Sequence, residues 1–70
     1  MKTIITYRNY VDVGRRKMVE NEDRFAIVFI DVDTVEEADS MAESELSKKL
    51  NKPMNSFKVL SIENVGKSAY

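Results

Sequence analysis

The chain has 70 residues, of which 43% are hydrophobic and 33% charged, with a net charge of −1, and it contains no Cys, no His and only two Gly. These numbers describe one globular domain, residues 1–70, with no disulfide, no conventional zinc site, no thiolate nucleophile or imidazole base, and no glycine-rich loop to cradle a phosphate or a dinucleotide. Folding at this size buries only about 60% of the surface of the extended chain, so oligomerisation or partner binding is expected to supply further buried area.

Lys2–Val13 is rich in β-branched and aromatic residues and is broken by Gly14, Arg15 and Arg16, which predicts a first strand. Lys17–Glu20 is either a second short strand or loop before the polar turn Asn21-Glu22-Asp23. Arg24–Asp33, dominated by Phe, Ile and Val, is the most strand-like stretch. Thr34 then opens a helix from Val35: its hydroxyl can accept a backbone N–H, and Glu37 stands three places on, as a capping box requires. Val35, Ala38, Met41, Ala42, Leu46 and Leu50 recur at helical spacing, and Asn51-Lys52-Pro53 ends the helix. Phe57–Glu63 reads as the last strand and Gly66–Tyr70 as a frayed tail. The expected fold class is α+β: a small antiparallel or mixed sheet of three to four strands, with one helix packed on one face, in the order β-(β)-β-α-β.

Alternation along a strand puts Phe25, Ile27 and Phe29 on one face and Ala26, Val28, Ile30 and Val32 on the other. The same alternation sets Ile5, Tyr7 and Val11 against Ile4 and Tyr10, and Phe57 and Val59 against Leu60 and Ile62. Both faces are therefore apolar, yet one helix covers one face. The second face is expected to be covered by a second copy in a homodimer, by a partner protein, or by the 14–23 loop and the tail folding over it.

Asp31-Val32-Asp33-Thr34, following an apolar strand, resembles the Asp-x-Asp-x-Thr nucleophile loop of haloacid-dehalogenase-type phosphatases. There the first Asp attacks phosphorus and the second acts as acid and base. That family needs a much larger doubly wound fold, a downstream basic residue and a further acidic pair for magnesium, for which too little sequence follows the motif. Thr34 is accounted for as a helix cap, and the other carboxylate pairs as solvated helix residues. No enzyme and no cofactor is expected.

Charge is unevenly distributed: residues 1–30 balance at +2, residues 31–45 at −7 without one basic side chain, and residues 46–70 at +4. The helix dipole accounts for Asp33, Glu36 and Glu37 near the helix start and for Lys48, Lys49 and Lys52 near its end. It does not account for Glu36, Asp39 and Glu43, which share a helix flank, nor for Asp31 and Asp33, two apart on an expected strand and thus about 6.5–7 Å from one another. Asp31, Asp33, Glu36, Asp39 and Glu43 therefore form a candidate acidic surface, expected to lie beside the uncovered sheet face and to meet a basic protein such as a nucleic-acid-binding protein by DNA mimicry. Small inhibitors encoded by phages and mobile elements have this character. The alternatives are a structural homodimeric subunit, or direct nucleic-acid binding through Arg8, Arg15, Arg16 and Lys17 with Tyr7 or Tyr10 stacking, which the sequence pI of about 5.4 disfavours. No apolar run approaches the ~18 residues of a membrane span and the start of the chain is unlike a signal peptide, so a cytoplasmic protein is expected.

Overall fold

The computed structural model describes residues 1–65, so the expected frayed tail, residues 66–70, lies outside the described residues. The elements are β1 (Lys2–Val13), β2 (Arg16–Val19), β3 (Arg24–Phe29), α1 (Val35–Leu50), a 3-10 turn (Met54–Ser56) and β4 (Phe57–Val65). The fold is α+β, an antiparallel sheet of four strands with one helix, in the order β-β-β-α-β.

Every strand pairs with β1. Its first half, Lys2–Tyr7, is bonded to β3, its stretch Lys2–Asn9 to β4, and its last residues, Tyr10–Val13, to β2. The turn between β1 and β2 is Gly14-Arg15, with Gly14 at φ +64° and no positive φ at Arg15. A glycine at the first of two central positions is what a tight type II′ hairpin turn demands. Met1 accepts the amide of Ile30 and Asn9 that of Glu20. Because alternate residues of a strand turn their backbone groups to alternate edges, these two odd-numbered acceptors place β3 and β2 in line on the same edge of β1, with β4 on the other.

At the junction of β2 and β3, Glu20–Asp23 stand opposite only Arg8 and Asn9. Two Arg–carboxylate pairs close this widened bulge. Arg24 donates through Nε and Nη2 to Glu20 at 2.8 and 3.1 Å, and Arg8 Nε donates to Asp23 at 2.6 Å. Beyond it the β1–β2 arm continues past the end of β4, in a molecule measuring 50 × 19 × 18 Å.

The helix is capped as its sequence predicts. Thr34 Oγ1 accepts the Glu37 amide at 3.2 Å and donates to the Glu37 carboxylate at 3.0 Å, and Asn51 ends the helix at φ 55°. Ala38, Ala42 and Leu46 are fully buried. Two alanines let the helix axis approach the sheet, and Leu46 is the one large side chain it drives fully into the core. Opposite them lie Ile5 and Tyr7 of β1, Ala26 and Val28 of β3, Ile30, and Phe57 of β4, with the Tyr7 and Phe57 rings edge to face at 6.0 Å. Val35 and Met41, expected on the buried stripe, are exposed.

Two further expectations are corrected. β3 stops at Phe29, because the last rung, Ile30 N–H to the Met1 carbonyl, exhausts the partner strand, and Val32 N–H then turns back to the Ile30 carbonyl at 2.9 Å. Asp31 and Asp33 thus lie in the β3–α1 connection and not on a strand face. In β4, Tyr7 pairs with Val59 but Thr6 with Ser61, so Leu60 is an extra residue in a bulge. The bulge inverts the alternation, and Ile62 joins Phe57 and Val59 on the helix side instead of opposing them.

Candidate protein-interaction edge

Among the described residues nothing covers the face of the sheet turned away from the helix, but its apolar side chains are not spread evenly. The register gives the rows Phe29–Lys2–Val65, Ile27–Ile4–Glu63 and Phe25–Thr6–Ser61, followed by Arg8–Lys58. The polar members sit on β1 and β4, while β3 contributes Phe25, Ile27 and Phe29, exposed at 69, 41 and 76%. These three side chains alone leave on the order of 350 Å² open to solvent, taking about 200 Å² for an aromatic side chain. A contiguous patch of this size is commonly a functional one. Residues 14–23, which the sequence offered as a possible cover, form the turn, β2 and the bulge, and they leave both phenylalanines open.

The same residues carry the free backbone. Since Ile30 N–H points to β1, so do the backbone groups of Val28, Ala26 and Arg24, and those of Phe25, Ile27 and Phe29 point outward from the sheet. Lys49 confirms the direction by reaching from the helix to donate to the Ile27 carbonyl at 2.6 Å. An unpaired row of N–H and C=O groups is a template for another strand, and a lysine at such an edge is a common means of restraining it. β3 thus presents an aromatic column and an open ladder side at one place. In the isolated monomer, amide hydrogen exchange is expected to show this alternation, with Phe25, Ile27 and Phe29 exchanging fast and Ala26, Val28 and Ile30 protected, when exchange is carried out at low micromolar concentration and read residue by residue by NMR.

The acidic residues lie elsewhere. Asp31, Asp33, Glu36, Asp39 and Glu43 are all exposed. Glu36, Asp39 and Glu43 run along the helix flank above β4: Asp39 accepts from Asn64 Nδ2 at 2.7 Å, and Glu43 borders the same depression as Phe57 and Val59. Asn64 in turn accepts from the buried Thr3 hydroxyl at 2.9 Å, so Asp39 belongs to a polar chain tying helix, β4 and β1. The acidic flank and the apolar column are consequently on opposite sides of the sheet and toward opposite edges, not beside one another. Thr34 follows Asp33 directly, one place before an Asp-x-Asp-x-Thr loop would carry its Thr, and its hydroxyl is engaged in the helix cap.

Of the four basic residues, Arg15, Arg16 and Lys17 gather at the exposed hairpin tip, while Arg8 lies at the bulge with its guanidinium bonded to Asp23 and the Glu20 carbonyl. Five residues of strand, roughly 16 Å, separate Arg8 from Val13 at the tip. The four do not form one patch.

Glu20 is the titratable centre of the bulge. Hydrogen bonds from Arg24 and from the Asn9 backbone N–H hold its carboxyl below the usual glutamate range. A depressed folded-state value means that the contribution to stability is present above the unfolded value and is lost as pH falls through the folded one. Melting temperature is therefore expected to fall on acidification below the ordinary carboxylate range, and Glu20→Gln to flatten that part of the profile. An unchanged slope in the variant, followed by circular dichroism, would assign the acid sensitivity to other groups.

Compared with protein-family models, curated proteins and solved structures, the chain matches none. Among the described residues no helix is long and apolar enough to cross a membrane.

Proposed function

We propose that this chain is a non-enzymatic protein-binding module that docks its partner along β3. The observation that carries the reading is the coincidence, in Phe25, Ile27 and Phe29, of an exposed apolar column with backbone groups that point away from the sheet and meet no strand among the described residues, the Ile27 carbonyl being held by the Lys49 side chain. A partner segment added as an extended strand gains main-chain hydrogen bonds from the edge and side-chain contacts from the column, the two components by which strand addition achieves affinity and selectivity. Affinity capture from lysate tests the reading: the proteins retained by the native chain should be absent when Phe25→Thr and Phe29→Thr are combined. Equal recovery by both chains would dismiss β3 as the docking site.

A second reading is favoured by the shared flank of Glu36, Asp39 and Glu43. In it the module inhibits a basic host protein, such as a DNA-binding protein, by presenting those carboxylates together with Asp31 and Asp33 in place of phosphates. Electrostatic docking of this kind weakens as salt rises, whereas strand addition onto an apolar column is much less salt-sensitive. Changing Glu36, Asp39 and Glu43 together to Lys should abolish salt-sensitive capture if this reading holds. Capture surviving that change would leave the β3 edge as the only docking surface of the two.

A further inference from the structure

Resting on the reading of β3 as a docking edge, we infer that the strand it receives is the β3 of a second copy of this chain, paired antiparallel about a two-fold axis through Ile27. The segment Phe25-Ala26-Ile27-Val28-Phe29 is symmetric in the features that matter for such a pairing. Residues 25, 27 and 29 all turn their backbone groups outward, so reversal about Ile27 brings Phe25 opposite Phe29 of the second copy and Ile27 opposite Ile27 of the second copy, each as a mutually hydrogen-bonded pair. No other register brings all three outward residues into such pairs, since a slip by one residue sets outward groups against inward ones and a slip by two leaves one residue unmatched.

The side chains agree with the backbone. On the open face the pairing creates two aromatic cross-strand pairs flanking a central aliphatic pair, combinations that stabilise antiparallel sheets. On the helix face it sets Ala26 against Val28, a small residue against a branched one. A two-fold contact uses the same patch on both copies, as is usual for homodimers. The result is one continuous sheet with β3 strands at its centre, both aromatic columns merged into a single stripe, and no free edge on that side. Lys49, which approaches the Ile27 carbonyl from the helix side, has to share or leave that oxygen, which has two lone pairs to offer.

The area sets the strength of such a dimer. Two columns of on the order of 350 Å² cap the contribution of these side chains at about 700 Å², because each keeps its outer side on the open face, so the strand backbones and the helix flank with Met41, Glu45 and Lys48 supply the rest of the about 1,200 Å² at which specific interfaces begin, and the dimer is a weak, reversible one.

Charge reversal at the axis tests this directly. Ile27 is exposed, and its substitution leaves the β1–β3 ladder intact, so Ile27→Lys and Ile27→Glu chains should both fold, as circular dichroism can verify. Sedimentation equilibrium should find the native chain dimeric at high micromolar concentration. Each variant alone should be monomeric, its dimer weakened on the order of a hundredfold by like charges face to face. The two variants mixed should recover a 1:1 heterodimer, because only an axis through residue 27 brings the opposite charges together. A native chain that stays monomeric overturns self-pairing while leaving the docking of a foreign strand at β3 to the capture experiment. Dimers that persist in both separate variants place the contact elsewhere and overturn self-pairing through β3. As a second route, a short bifunctional thiol cross-linker applied to an Ile27→Cys chain, which carries no other cysteine, should give a covalent dimer, since the paired α-carbons stand only about 5.5 Å from one another. Failure to cross-link in a sample that sediments as a dimer would reject the axis.

Discussion

Leu46→Ala is expected to lower the unfolding free energy by about 2–5 kcal/mol, the usual result of emptying a fully buried leucine site. Leu46 is fully buried, and the other two buried residues of α1 are alanines that cannot move to fill the space. A domain of this length has roughly 4–10 kcal/mol in total, so the variant should be partly unfolded at room temperature, or should melt some 10–30 °C lower. Urea unfolding followed by circular dichroism measures the change. Met41→Ala on the same helix provides the contrast: its side chain is exposed, and its removal should change stability by no more than about 0.5 kcal/mol. Equal losses in the two variants would contradict the packing of the helix described above.

Combining Phe25→Thr with Phe29→Thr should have the opposite profile. Removal of two large aromatic residues ordinarily destroys a small core, yet here stability should shift by only about 1 kcal/mol, because both rings already stand in water and threonine suits a strand. Binding through β3 should fall on the order of a hundredfold or more, since two aromatic anchors worth at least about 1–2 kcal/mol each are lost together. Calorimetric titration with a captured partner, alongside thermal melting of the same samples, separates the two effects. Parallel loss of stability and binding would show that the rings support the fold and not a contact.

The comparison of these two variants also indicates what sequence reasoning can reach. The limits of β1 coincide with the β-branched run before Gly14, and the start of α1 with the cap Thr34, because both depend on local chemistry alone. The surplus apolar face was legible too, from alternation in Arg24–Phe29 and the presence of a single helix. What local pattern could not supply was pairing. The bulge at Leu60, which moves Ile62 to the helix side, and the end of β3 at Phe29 are set by the partner strand β1, whose residues lie far off in the chain. Likewise, alternation gave the side of the sheet on which Phe25, Ile27 and Phe29 lie, but their freedom to accept another strand follows from the place of β3 at an edge, a property of strand order. Asp39 shows the converse: its charge is visible in the sequence, whereas its bond to Asn64 requires β4 to lie under the helix.

The position of β1 between all its neighbours has a consequence for the making of the protein. β2 and β3 follow β1 closely and can zip onto it as one interrupted hairpin, but the rung joining Lys2 to Val65 must wait until almost the whole described chain has been synthesised. Until β4 emerges, the nascent hairpin has an unsatisfied flank on β1 as well as on β3, so sticky edges are exposed on both sides during translation. Placing β4 last covers the flank of β1 as growth finishes, and the mature sheet is left with β3 and β4 at its edges, of which β3 carries the aromatic column open for association.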